Sequence, residues 1–310
     1  MYVVTGATGR TGRAVAERLL RGGRTVRAIG RAEQSLEPLH AAGAEPFVAQ
    51  PADPVALATA FAGAEGVYVM VAPNYIPDSP DFFAHQRGIV DAMVAALGEA
   101  GTRRVVTLSS WGADKPEGTG PVVGLHYLEE RIDTLDTQVT HLRAGYFMEN
   151  LLGQLECIRR DGVVAAPFDA DLAMPFVTAA DIGNAAARAL VERTPATPGH
   201  PEILEVQGER DLSMREVTQV IGRLSGRPAL RYLRQSIDEF AAQLRTGGVS
   251  TNVADMMVEV AYAINSGHTR ALQPRSARTT TPTSIESFVT DMLLPQLDSG
   301  SRALASRDQS

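Results

Sequence analysis

Two rhythms of apolar residues alternate along the first half of the chain, and they predict strands and helices in turn. Residues 2–5, 25–29, 46–49, 66–71, 103–108 and 138–143 are short runs rich in β-branched and apolar side chains. The fourth is almost continuously apolar, as a strand buried on both faces must be. Between these runs the apolar positions recur three and four apart: Val15, Leu19 and Leu20 share one helix face, and 32–42, 55–61, 82–100 and 125–135 read the same way. Gly22-Gly23 and Gly43 supply helix stops. Strands alternating with helices predict a parallel sheet covered on both sides.

The second half loses this regularity. Residues 146–160 read as a helix broken at Gly162, 175–177 and 203–206 as short strands, and 182–191, 213–224, 236–244, 253–264 and 284–294 as helices. Thr178-Ala179-Ala180-Asp181 resembles a capping box with Asp in place of Glu, which makes Asp181 structural. Ser213 is an N-cap. The expected organisation is a sheet domain over 1–150, a smaller α/β domain over 151–296 partly interleaved with it, and a polar, disordered tail over 297–310.

One stretch adds chemistry to the pattern. Gly6-Ala7-Thr8-Gly9-Arg10-Thr11-Gly12 joins the first strand to the first helix. Gly6 permits a sharp turn, Gly9 lacks a Cβ where a pyrophosphate would approach the backbone, and Gly12 allows close packing of helix on strand. The helix N-terminus offers unpaired N–H groups to phosphate. The prediction is a Rossmann-like, doubly wound α/β fold that binds a dinucleotide. Its candidate contacts are Gly6, Thr8, Gly9, Arg10, Thr11 and Gly12 in the loop, Arg31 after the second strand, Asp53 near the adenine, Val71, Ala72 and Pro73 after the fourth strand, and Ser109 at the end of the fifth. The second strand ends in Gly30-Arg31, with no acid before Glu33 to meet a ribose 2′-OH. Arg31 suits a 2′-phosphate, and Arg10 can approach the same group, so NADP(H) is expected over NAD(H).

Composition narrows the class. A formal charge of −7 over 310 residues, with no basic run, argues against nucleic-acid binding. The single cysteine, Cys157, excludes an intramolecular disulfide and suits a reducing cytoplasm. No apolar run approaches the ~20 residues of a membrane span, no signal peptide is apparent, and no His, Cys or carboxylate spacing suggests a metal site.

The catalytic signals are incomplete. Ser109 and Ser110 end a central strand, where a carbonyl-orienting Ser belongs, and Tyr127 follows Ser110 by 17 residues. Arg131 stands four residues further on, where Tyr-x-x-x-Lys chemistry needs Lys, and Arg does not share a proton as Lys does. Tyr127 as the acid is therefore weighed against a helix-surface tyrosine. His126 and Glu129, three apart on the same helix, form a second candidate for proton transfer, weighed against a solvated pair. Residues 74–81, with prolines at 77 and 80, read as an irregular lid.

Taken together, Gly6-Ala7-Thr8-Gly9-x-x-Gly12, Ser109-Ser110, His126-x-x-Glu129 and Leu142-Arg143-x-x-x-Phe147-Met148-Glu149-Asn150 resemble the NmrA-like group of atypical short-chain dehydrogenases/reductases. That resemblance implies a substrate cleft between a Rossmann domain and a small C-terminal domain, lined by Pro73, Asn74, Trp111, Tyr127, Phe147, Met148 and Asn150. It also implies one of two activities. The first is NADPH-dependent hydride transfer to a quinone-like, enone or other small electrophile. The second is a non-catalytic NAD(P)-sensing regulator, with room for a homodimer or a protein partner.

Overall fold

The computed structural model describes residues 1–71, 78–192 and 195–298. Ala72, Pro73, Asn74 and the first half of the expected lid lie outside the described residues, as does the tail from 299 onward.

The first half alternates strand and helix as expected. Its elements are β1 (Tyr2–Val4), α1 (Arg10–Arg21), β2 (Val26–Gly30), α2 (Glu33–Ala41), β3 (Glu45–Val48), α3 (Pro54–Phe61), β4 (Gly66–Val69), α4 (Phe82–Glu99), β5 (Arg104–Ser110), α5 (Val123–Asp133) and β6 (Gln138–Ala144). The chain continues through β7 (Tyr146–Phe147), α6 (Leu155–Arg160), β8 (Val163–Ala166), β9 (Met174–Val177), α7 (Ala179–Val191), β10 (Glu202–Val206), β11 (Asp211–Leu212), α8 (Met214–Leu224), β12 (Arg231–Arg234), α9 (Ile237–Thr246), α10 (Thr251–Asn265) and α11 (Ile285–Phe288).

A seven-stranded sheet in the order β10-β6-β5-β4-β1-β2-β3 is parallel throughout. Strand order reverses between β1 and β4, and in open α/β sheets ligands bind outside the carboxyl ends of the strands at such a reversal. Two layers cover the sheet. Val15, Ala16 and Leu19 of α1 share one core with Ile182, Ala185 and Ala186 of α7, while Leu57, Phe61, Ile89, Met93, Leu128 and Ile132 from α3, α4 and α5 fill the other face. A Cβ at Gly183 would lie 2.4 Å from Ala14 Cβ, so the α1–α7 contact depends on that glycine. The seventh strand, β10, comes from the second half of the chain, so the two halves are interleaved.

The second half departs from its reading in several places. Residues 146–160 are not one helix: Tyr146 and Phe147 pair with Phe176 and Val177 of β9, and a 3-10 stretch (Met148–Gln154) leads into α6. A long-range strand partner overrides a local helical period there. The Thr178 hydroxyl accepts from the Asp181 N–H at 3.1 Å, but Asp181 does not complete a capping box; its Oδ2 instead accepts from the Thr283 N–H at 3.1 Å. The last helix widens into a π turn (Val289–Leu293) and continues over 294–298, with Leu297 only 1% exposed, so residue 297 is core rather than the start of a tail.

Candidate active site

The glycine loop takes the form its spacing implies. Gly6 has φ +58°, and a Cβ there would strike Met70 Sδ at 2.5 Å. A Cβ at Gly12 would lie 2.3 Å from the Gly6 carbonyl oxygen. Gly9 differs from both: a Cβ there would meet nothing but the Gly6 oxygen, at 3.3 Å. Protein packing thus requires glycine at 6 and 12, whereas at 9 the missing side chain leaves a slot facing open space. Gly9 is also the N-cap of α1, with no side chain capping it and no acid in the first turn, so the first N–H groups of α1 are free to meet an anion. An open slot over uncapped amides fits the pyrophosphate of a dinucleotide.

Around this cradle the candidates divide. Thr8 is exposed. Thr11 is buried, and its hydroxyl donates to Met70 Sδ at 3.8 Å, so it offers the cradle only its backbone. A Cβ at Gly30 would lie 3.0 Å from Thr8 Cγ2, which sets the end of β2, and Arg31 after it, against the loop. Arg31 and Arg10 are exposed, and neither has an ion pair among the described residues. The charge of Arg10 acts on Glu149, in the second half of the chain. The Asp53 carboxylate caps α3, accepting from the Val55 and Ala56 N–H groups at 3.1 and 3.0 Å, so it is committed to a helix. Val71 is 6% exposed, just past β4.

The catalytic candidates are rearranged more strongly. Ser109 is buried and donates to Glu129 Oε1 at 2.5 Å. Glu129 also receives a two-pronged contact from Arg143, Nε at 3.0 Å and Nη2 at 2.6 Å. Ser109 and Arg143 face each other across β5 and β6, so the Ser109 hydroxyl belongs to a buried Ser109–Glu129–Arg143 network. The expected His126–Glu129 pair does not form. The His126 Nε2 instead lies 3.4 Å from Glu130, one turn on, and its Nδ1 is 2.9 Å from the Ala113 carbonyl. Tyr127 points toward α4, where its hydroxyl donates to Asp91 at 2.7 Å beside Arg131 and under Arg87. It is a helix–helix tyrosine. Of the catalytic candidates, Ser110 is partly exposed where β5 ends, and His126 reaches from α5 to the Ala113 carbonyl just past that strand.

Of the substrate candidates, Phe147 is half-buried and Asn150 exposed, both just past β6. Met148, 1% exposed, belongs to the core of the second half, and Trp111, 8% exposed, packs with it. Met148 is therefore a packing residue. Sequence reasoning missed the chain Thr107–His141–Asp133, buried at Thr107 and His141 and partly exposed at Asp133, with contacts of 2.7 and 3.0 Å to the two imidazole nitrogens. A His at a fully buried position of a central strand, flanked by Thr140 and Leu142, was its signal. Among the described residues no group of His, Cys, Asp or Glu has the arrangement of a metal site, and no helix is long and apolar enough to cross a membrane.

A model of the NmrA-like family matches residues 2–284. The NAD(P)H azoreductase of Xenophilus azovorans is 29% identical over 268 residues, 85% of this chain and 87% of that one. The (4-alkanoyl-5-oxo-2,5-dihydrofuran-3-yl)methyl phosphate reductase of Streptomyces griseus is 30% identical, over 77% of this chain and 78% of its own. In three dimensions, the NADPH-dependent quinone oxidoreductase of Escherichia coli complexed with NADPH superposes with a TM-score of 0.79 at 23% identity, over 94% of this chain and all of that one.

Proposed function

The chain belongs to the NmrA-like family, and on that premise we propose that it is an NADPH-dependent reductase that transfers a hydride to a quinone-like, enone or other small electrophile. The observation that carries this reading is the cradle: Gly9 leaves an open slot over the uncapped N-terminus of α1. Gly6, Gly9, Gly12 and the first amides of α1 hold the pyrophosphate, and Arg31 meets the 2′-phosphate. Ser110 at the end of β5 and Phe147 and Asn150 just past β6 are the residues that would line the nicotinamide end of a dinucleotide bound at the β1–β4 switch point. The bound cofactor supplies the hydride. The protein supplies orientation and a partly apolar wall.

The hydroxyl hydrogens of Ser109 and Tyr127 are given to carboxylates, so neither serves as the acid of a Ser-Tyr-Lys mechanism. That suits acceptors whose reduced form takes its proton from water, as quinones do. The relatives' named azo, quinone and unsaturated-lactone chemistry agrees with an electron-poor acceptor of this type. The preference for NADPH is supported by Arg31, since the strand end carries no carboxylate for a ribose 2′-OH.

NADPH deuterated at the reactive C4 position tests the transfer. With an enone acceptor, the product gains one deuterium at carbon by mass spectrometry. Product that forms without the label would overturn direct hydride transfer.

A further inference from the structure

Glu149 is not used by any step above, yet its carboxylate is in an unusual position. It follows β7 and is 7% exposed. Its Oε1 accepts from the N–H of Ala179, the first residue of α7, at 2.9 Å, and its Oε2 is buried with no hydrogen-bond partner. The helix does not need this carboxylate as its cap, because Thr178 already fills that role. Burying a carboxylate with a bare oxygen is costly unless a cation or a proton compensates.

The packing of α1 on α7 shows where the compensation comes from. At Gly183 the two helices approach so closely that a Cβ would lie 3.0 Å from the Thr11 carbonyl oxygen. Their N-termini therefore stand side by side. Arg10, the first residue of α1, is the cation whose charge acts on Glu149, and Asp181 of α7 is the nearby anion. Burial pushes the Glu149 carboxyl above its ordinary value of 4.5; the Ala179 N–H, its own backbone N–H and then Arg10 hold it back, and Asp181 adds to the push. Glu149 is sealed inside with no direct ion pair to Arg10, and Arg10 stands exposed at the first residue of α1, beside the phosphate cradle.

We propose that Glu149 is a positioning residue for the cofactor: its buried charge, acting at a distance, favours Arg10 beside the phosphate cradle, and its carboxyl takes up a proton when the dinucleotide's phosphates claim that arginine. The inference rests on the cofactor reading above. Phosphate drawn onto Arg10 weakens the charge that keeps Glu149 ionised and adds negative charge beside it, so the carboxyl titrates higher in the complex than in the free protein. The sign follows. Below the free-protein value Glu149 is protonated in both states, and affinity is flat. Between the free and bound values only the complex carries the proton, so NADPH binding weakens as pH rises, by up to about tenfold per pH unit for one linked proton. Above both values it is flat again.

The test compares wild type with Glu149→Gln, which keeps an acceptor for the Ala179 N–H but cannot titrate. NADPH binding is measured by calorimetry across pH, in buffers of different ionisation enthalpy. Subtracting the variant removes the titration of the cofactor's own 2′-phosphate. Wild type is expected to take up extra protons on binding and to lose affinity with rising pH, and Glu149→Gln to do neither. Arg10→Ala alters an exposed residue and guards against a variant that fails to fold: it is expected to bind NADPH more weakly and also to lose the extra proton uptake. Equal proton uptake in all three proteins overturns the proposal and leaves the cofactor site standing. Absence of NADPH binding to folded wild type overturns both.

Discussion

Single residues decide which hydrogens are available for chemistry here. The Tyr127 hydroxyl is bound to Asp91 on α4, and Arg131 and Arg87 stack on its ring. Tyr127→Phe is expected to leave turnover within about twofold and to cost under about 1 kcal/mol of stability, the scale of one hydrogen bond to a partly exposed carboxylate. Steady-state kinetics with a thermal melt checks both; a loss of turnover of about a hundredfold or more would return Tyr127 to the reaction. Arg31→Ala is expected to weaken NADPH binding by about 1.5–3 kcal/mol, the range of a charge-assisted hydrogen bond, and to leave NADH nearly unchanged. Equal wild-type affinity for the two cofactors would refute the role given to Arg31. At this scale the sequence was a partial guide. The identities of Ser109, His126 and Glu129 were legible, but their pairing was not. Which carboxylate a side chain meets depends on helix rotation and strand register: Glu129 turns inward to Arg143, a partner 14 residues away on the neighbouring strand.

Elements that answer to backbone sterics were the readable ones. The β1–loop–α1 unit has one glycine for each physical demand, and the structure assigns the demands separately. Gly12→Ala is expected to destabilise strongly, since its Cβ would sit 2.3 Å from the Gly6 oxygen. Gly9→Ala is expected to keep the melting temperature within a few degrees, about 1 kcal/mol or less, while weakening NADPH binding at least about tenfold, because the methyl occupies the slot rather than the core. Melting curves with and without NADPH separate the two. A Gly9→Ala protein that binds normally would mean that the slot does not hold phosphate. Residues 146–160 were misread for the opposite reason. Their local period is helical, but Tyr146 and Phe147 are held by pairing with β9, a partner nearly 30 residues away that no local window contains. The parallel pair β8–β12 was missed likewise: its strands are short and lie far apart in sequence.

Over the whole molecule, the interleaving matters most. β10 completes the sheet of the first half, and α7 packs on α1, so the cofactor cradle rests on a helix that belongs to the second half. Unfolding is therefore expected to be one cooperative transition, and NADPH at about a hundred times its dissociation constant should add about 2.7 kcal/mol to it. Two calorimetric transitions, only one shifted by NADPH, would contradict that coupling. The alternation of strands and helices made the parallel sheet legible from the chain alone. The seventh strand's place was not, because a strand's position in a sheet is set by what packs around it.

The measurement that bears most directly on the account is the loss of NADPH absorbance in the presence of a small panel of quinones and enones, with NADH run in parallel. The account predicts turnover with NADPH that exceeds turnover with NADH for at least one acceptor. NADPH that binds but is not consumed with any acceptor would contradict the reductase reading and leave a dinucleotide-binding protein without this chemistry.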